Sequence, residues 1–189
     1  MKCWFLLLIV TSKGIINFMN IQRIHVESEN PLHHWDWLNV KDQVVLDLGC
    51  GFHFIENGWD TTPEFFLKKG ASKIIGVDPH LDDIEHFREI YPHSEFVKDC
   101  VLSAEQLNQY LLNPEVQAVK MDIEGHERHL LETDETYQNI RNIAVETHNR
   151  NLFHDVMMKL IDCGFKITHV GTFYPRVYDE CNLIFATRD

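Results

Sequence analysis

The sequence predicts an α/β fold, a mostly parallel sheet packed between helical layers, and three observations carry that expectation. Val44-Val45-Leu46 is an uninterrupted apolar run, as in a strand covered on both faces, and it leads into Asp47-Leu48-Gly49-Cys50-Gly51. Lys73-Ile74-Ile75-Gly76-Val77 is a second short apolar strand that ends in Asp78. Beyond it, apolar runs of strand length alternate with helical patterns almost to the end of the chain.

Taken in order, residues 31–42 carry Trp35, Trp37 and Leu38 ahead of the first of these strands and read as a lid or helix beside the glycine loop. Phe52–Asp60 is aromatic and polar with Gly58, and reads as an extended loop. Thr62-Pro63-Glu64 opens a helix, with a capping hydroxyl at Thr62 and proline at the first helical position, and that helix ends at Gly70. Asp82–Tyr91 is a second helix and Glu95–Val97 a third strand, closing at Lys98-Asp99-Cys100. Ser103 and Gln106 form a capping box for a helix that stops before Pro114. A strand at Val116–Val119 leads to Asp122, Glu124–Leu131 begins a helix, and Ile140–Val145 is the fifth strand. Asn151–Cys163 places Leu152, Val156, Met157, Leu160 and Ile161 at helical spacing, so its methionines are core residues. Phe165–Val170 and Asn182–Ala186 are the last strands.

The chemistry begins at the glycine loop. Gly49 and Gly51 let the backbone turn sharply and approach a ligand, and Asp47 lies at the carboxyl end of its strand, where open α/β sheets bind ligands. An acid ending the next strand, here Asp78, can accept hydrogen bonds from the two cis hydroxyls of a ribose. The dinucleotide version of this loop needs a third glycine where this chain has Phe54. That disfavours a nicotinamide or flavin cofactor, hence a nicotinamide-dependent oxidoreductase, and favours an adenosyl ligand without a pyrophosphate.

Asp47-Leu48-Gly49-Cys50-Gly51 with Asp78 resembles the motifs of class I S-adenosylmethionine-dependent methyltransferases. Lys120-Met121-Asp122-Ile123-Glu124-Gly125-His126-Glu127 is similar to the signature of the FkbM-type branch, as is Ala144-Val145-Glu146-Thr147-His148 to the strand end that follows it there. The chain departs from that pattern in the Phe52–Asp60 loop and in Asp78, where the family often has Glu. The resemblance covers roughly residues 40–187. It implies a Rossmann-like three-layer sandwich with a seven-stranded, mostly parallel sheet whose last strand is antiparallel, and S-adenosylmethionine as cofactor. It further implies that the Gly49-Cys50-Gly51 loop approaches the methionine part and Asp78 the ribose, while Asp99 and Cys100 fall where such enzymes contact adenine. Asp122 faces the same crevice. Oxygen as the methyl acceptor, on a small molecule or glycan, is likewise what the resemblance implies.

His53, His80, His126 and His148 each follow closely on a strand that ends at the crevice, and imidazole suits proton removal near neutral pH. His148, Glu146, Asp122 and His126 are the candidate catalytic residues; Glu124 and Glu127, in the first turn of the following helix, serve either structure or catalysis. Asp122, Glu146 and His148 could instead hold magnesium or manganese, the less favoured arrangement. The rival to an enzyme is an adenosyl-ligand binding module without catalysis, against which intact Asp47, Asp78 and Asp122 argue.

Composition sets outer bounds. The 189 residues, 44% hydrophobic, suffice for one core. A formal charge of −12, with scattered Lys and Arg, argues against an extended nucleic-acid surface. Five dispersed cysteines with no Cys-x-x-Cys pair fit neither a disulfide framework nor a zinc ribbon, and Cys50 reads as a small residue suited to a tight turn. Residues 1–30 read as an accessory extension and 31–189 as a single domain. The apolar run Cys3–Val10 is too short to span a bilayer, and Thr11-Ser12-Lys13-Gly14 lacks a small-x-small cleavage pattern, so no stable membrane insertion and a cytoplasmic location are expected.

Overall fold

The structure, a computed structural model, describes residues 3–11, 14–24, 31–51, 61–81, 84–133, 137–173 and 181–189. The strands are β1 (Cys3–Thr11), β2 (Gly14–Ile24), β3 (Val44–Leu48), β4 (Lys73–Val77), β5 (Glu95–Val97), β6 (Val116–Met121), β7 (Asn142–Thr147), β8 (Lys166–Phe173) and β9 (Cys181–Thr187). They form one sheet in the order β1-β2-β8-β9-β7-β6-β3-β4-β5. The seven strands from β3 onward make the expected sheet: β5, β4, β3, β6 and β7 run parallel, and β9 is antiparallel to both β7 and β8. β1 and β2 are an addition. They pair antiparallel with each other, and β2 joins the edge of β8 through Gln22, Arg23 and Ile24. The sheet therefore begins well before Val44.

Alternation along the central strands explains the three layers. Leu46, Val119, Ile143, Val145 and Ile184 face one apolar core, which the helices α3 (Ala104–Leu111) and α4 (Arg150–Asp162) help to cover. Val45, Ala118, Ala144, Leu183 and Phe185 face the other, with Phe66 of α1 (Thr62–Lys68) and with Trp35 from the 3-10 helix Pro31–Trp37. Helix α2 (Ile84–Ile90) packs Phe87 near Phe96 of β5. Both sheet faces are thus apolar, as the period-two pattern of buried central strands requires.

Two local expectations change. The cap of α1 is Thr61, whose hydroxyl accepts from Glu64 N (3.3 Å), so Thr62 lies inside the helix with its hydroxyl free for another use. The segment after β6 is not an α-helix from Glu124. Positive φ at Glu124 (54°) and Gly125 (94°) turns the chain first, and only a 3-10 helix, His126–Glu132, follows. That helix has Gly125 at its N-cap and no side-chain cap; Glu127 instead reaches back across the turn, accepting from Ile123 N at 2.9 Å. The Phe52–Asp60 loop, with Phe54 and His53, lies outside the described residues.

Candidate active site

Strand order reverses at β3, which has β4 on one side and β6 on the other. Loops leaving the carboxyl ends of β3 and β6 therefore diverge, and ligands of open α/β sheets bind in that crevice. Gly49 follows β3 and Asp122 follows β6, and Asp122 N donates to Leu48 O at 3.0 Å. Gly49 has φ +74°, and a Cβ there would lie 1.7 Å from the Asp122 carbonyl oxygen. The position accepts only glycine.

The proposed cofactor residues lie at adjacent strand ends, in two settings. Asp78 is a loop anchor, accepting from Gly51 N (3.0 Å) on one oxygen and from His80 N (2.7 Å) on the other. Asp99 accepts from Cys100 N at 2.8 Å and from the Tyr110 hydroxyl at 2.6 Å, and burial together with Asp99 raises the Tyr110 pKa. Cys50 is fully buried, and burial raises its thiol pKa with help from Asp47 and Asp78. Asp47 is also fully buried, beneath the loop instead of on its open side. Its Oδ2 lies 2.5 Å from the Thr62 hydroxyl, which also reaches Cys50 O at 2.9 Å. Burial pushes the Asp47 pKa up, against the pull of Lys120 and of Thr62.

Lys120 does not stand out in the sequence as a site residue, yet it is central here. It is only 1% exposed and approaches Asp47 Oδ1 at 3.3 Å and Asp122 Oδ2 at 3.6 Å. Its ammonium also donates to the carbonyl oxygens of Leu48 (3.3 Å) and Gly49, and lies 5.2 Å from the Trp35 ring centre. Burial opposes the charge, but Asp47 and Asp122 outweigh it and hold the Lys120 pKa above its ordinary value. One signal is legible: a lysine within Val116–Met121, a strand otherwise apolar on both faces near its end, needs a counter-ion.

The acceptor side gathers around His148, just past β7. Its Nδ1 lies 3.2 Å from Glu127 Oε1, an ion-pair contact too oblique for a hydrogen bond. Its Nε2 lies 3.3 Å from Glu124 Oε2 and 3.6 Å from Asp122 Oδ1. Burial works against the imidazolium, but Glu127, Asp122 and Glu124 prevail and raise the His148 pKa to about 9. Glu146 is buried near His34, whose Nε2 is 3.8 Å from its Oε2. Burial, then Asp122, raises the Glu146 pKa to about 7, whereas burial lowers that of His34 to about 4. His126 goes elsewhere: its Nδ1 lies 3.5 Å from His129 Nε2 in a stacked pair.

Among the described residues, donor atoms close enough to share a cation form two sets, Asp122/Glu127/His148 and Glu146/Cys181/His148, each within 4.8 Å. The trio expected from the sequence, Asp122 with Glu146 and His148, is thus divided between two sets that meet at the imidazole.

Comparison with known proteins agrees with this geometry. Residues 84–167 match the sequence profile of the Methyltransferase FkbM domain. No curated protein sequence matches the chain. Among solved structures, a putative tRNA (m1A22) methyltransferase of Streptococcus pneumoniae in complex with S-adenosyl-L-methionine is similar at TM-score 0.60 and 14% identity, over 84% of this chain and 72% of that one. Magnesium protoporphyrin IX methyltransferase of Synechocystis PCC 6803, with bound S-adenosylhomocysteine, is similar at TM-score 0.53 and 16% identity, over 80% and 76% of the two chains. Aeropyrum pernix fibrillarin, with natively bound S-adenosyl-L-methionine, is similar at TM-score 0.53 and 16% identity, over 79% and 69%. The chain therefore has the fold of these methyltransferases, and residues 84–167, less than half of its length, are similar to the FkbM-type methyltransferase domain. Among the described residues, no helix is long and apolar enough to cross a membrane.

Proposed function

We propose that this protein transfers a methyl group from S-adenosylmethionine to a hydroxyl of a small molecule or glycan. The observation that carries the reading is His148, set among Asp122, Glu124 and Glu127 at the strand ends next to the glycine loop. When bound, S-adenosylmethionine supplies a methyl already activated by a sulfonium charge.

The residues present fit that ligand. Gly49 and Gly51 both have positive φ and present no side chain to it. Each Asp78 oxygen accepts one backbone N–H and keeps a lone pair for a ribose hydroxyl. Asp99, after β5, is assigned to the adenine by the family resemblance alone, its two oxygens accepting from Cys100 N and the Tyr110 hydroxyl. Asp122, Glu124, Glu127 and Glu146 outnumber the nearby cations Lys120 and His148, so the crevice suits a cationic ligand.

His148 takes the acceptor's proton. Glu127 stands at ion-pair distance on the Nδ1 side, which supports Nε2 as the nitrogen that meets the acceptor. At neutral pH the imidazole is mostly charged, and it becomes a strong base once a minority has lost its proton. Glu146, held near 7, is the second group able to take up a proton in this range. Glu127 Oε1 already accepts from Ile123 N, which favours this proton-carrying arrangement over a shared cation. The acidic crevice and the chain's charge of −12 favour a neutral acceptor over nucleic acid. A cytoplasmic location follows from the cofactor being a cytosolic metabolite.

The test is calorimetric titration with S-adenosylhomocysteine, followed by incubation with S-adenosylmethionine and a panel of hydroxyl-bearing small molecules and glycans. Binding at micromolar affinity and a product heavier by one methylene are expected. Binding with no product across the panel would favour a non-catalytic adenosyl-binding module, and no binding would end the proposal.

A further inference from the structure

Five side chains of alternating charge run from beneath the glycine loop to the acceptor side. Asp47 faces Lys120 at 3.3 Å, Lys120 faces Asp122 at 3.6 Å, Asp122 faces His148 Nε2 at 3.6 Å, and His148 Nδ1 faces Glu127 at 3.2 Å. We propose that Lys120 is a positioning residue: by holding Oδ2 of Asp122 it keeps Oδ1 off His148 Nε2, leaving that nitrogen open to the acceptor, and it ties this arrangement to the glycine loop.

The ammonium has three N–H groups. Two go to Leu48 O and Gly49 O, the backbone that enters the loop, and the ammonium stands at ion-pair distance from both Asp47 and Asp122. Trp35 lies over it and the ammonium is buried, so these attractions are weakly screened. At 3.6 Å, Asp122 Oδ1 is too far from Nε2 for a hydrogen bond. Without Lys120, the one cation left beside the Asp122 carboxylate among the described residues would be His148, and the carboxylate would close on it. Nε2 would then be capped and the imidazole harder to deprotonate. The other groups around His148 are Glu124 and Glu127 from the turn and 3-10 helix, Glu146 from β7 with His34 behind it, and Cys181 from β9. None of them contacts the glycine loop carbonyls as Lys120 does. Glu124 is 84% exposed and free to swing away from Nε2.

The inference rests on His148 being the base, but its readouts need no acceptor. The His148 imidazole is titrated by NMR in the full chain, and S-adenosylhomocysteine affinity is measured, for wild type, Lys120→Met, Lys120→Arg and the paired variant Lys120→Met/Asp47→Asn. The paired variant removes the buried Asp47 charge that Lys120→Met would strand, which keeps a folded protein in hand if the single variant fails to fold. Loss of the ammonium should raise the His148 midpoint by about half a unit or more and weaken S-adenosylhomocysteine about tenfold or more, in the single and the paired variant alike. Lys120→Arg should bring the midpoint back toward wild type. A folded paired variant with the wild-type midpoint and affinity would reduce Lys120 to a fold pin and overturn the proposal. If wild-type protein does not bind S-adenosylhomocysteine at all, the methyltransferase reading fails, while the midpoint shift still decides the role of Lys120.

Discussion

Gly49 and Asp122 touch backbone to backbone: a methyl group added at Gly49 would sit 1.7 Å from the Asp122 carbonyl oxygen. The loop after β3 and the strand end after β6 are therefore in contact at the switch point of the sheet, and the cofactor side and the acceptor side of the crevice share one piece of backbone. The ion pairs of Lys120 cross the same junction a layer deeper.

Gly49→Ala combines two penalties, a left-handed φ of +74° and a clash with backbone that no side-chain rotation relieves. The loss in stability should reach about 3 kcal/mol or more, and any protein that folds should no longer bind S-adenosylhomocysteine. Chemical denaturation and calorimetry check both. Gly125 is the control: it has φ +94°, but a Cβ added there would meet nothing within 4 Å, so Gly125→Ala should show the backbone penalty alone.

Asp78→Ala removes the carboxylate that ends β4. Cofactor-product affinity should fall by on the order of 1.5–3 kcal/mol, because hydrogen bonds to a charged acceptor are lost. Gly51 N and His80 N lose their partner as well, so a modest drop in melting temperature should accompany it. Undiminished titration of S-adenosylhomocysteine into a folded Asp78→Ala variant would remove Asp78 from the ribose site.

Strands are the legible part of this sequence. Val44–Leu48 and Lys73–Val77 are continuous apolar runs ended by acids, a pattern with few alternatives, and both occur where expected. Helix α4 is equally readable from its period, although its cap, Asn149 accepting from Leu152 N at 2.8 Å, emerges only in the structure. The turn after Asp122 defeats pattern reading because Glu124 adopts φ 54°, a conformation its residue type does not announce. Thr62 has the position of a cap, just before proline, and only packing reveals that its hydroxyl serves Asp47. The β1–β2 pair is obscured for another reason. Two apolar runs around Lys13-Gly14 are a hairpin signal, but the first also has the look of a leader segment. In the site, Asp122 and His148 are legible because they follow strand ends. Lys120 is visible only as the first residue of the signature and as a lysine in a buried strand, while its place between Asp47 and Asp122 emerges only in the structure.

Deleting residues 1–18 should leave a folded protein that still binds S-adenosylhomocysteine. The cut removes β1 and the start of β2, but Gln22, Arg23 and Ile24, which pair with His169, Val170 and Gly171 of β8, are retained. The edge next to β8 therefore stays paired. Gel filtration and calorimetry are the measurements; aggregation or lost binding would make the β1–β2 pair part of the core.

Stability and turnover should respond to pH in opposite directions, both through His148. Its pKa is raised from 6.5 to about 9, so the folded state keeps a proton that the unfolded chain gives up earlier. The stabilisation is complete below pH 6.5 and is lost as pH rises toward 9. Glu146, raised from 4.5 to about 7, has the same sign at lower pH, since its ionised form is disfavoured by burial. His34, lowered from 6.5 to about 4, acts the other way, gaining stability as pH rises through that span. The interval from about 7 to 9 therefore isolates His148 from both. Across it the melting temperature of wild-type protein should fall, and His148→Ala should flatten that slope. Turnover should rise over the same interval as the free imidazole accumulates. His148→Ala should lower turnover ~10²-fold or more with S-adenosylhomocysteine affinity nearly unchanged. Treatment with a chelator should leave the wild-type profile in place, whereas activity lost to chelator and restored by magnesium would assign the imidazole and its carboxylates to a cation. A variant that loses the stability slope but keeps its turnover would leave His148 as a buried counter-ion and move the base to Glu146, whose limb would then appear near pH 7.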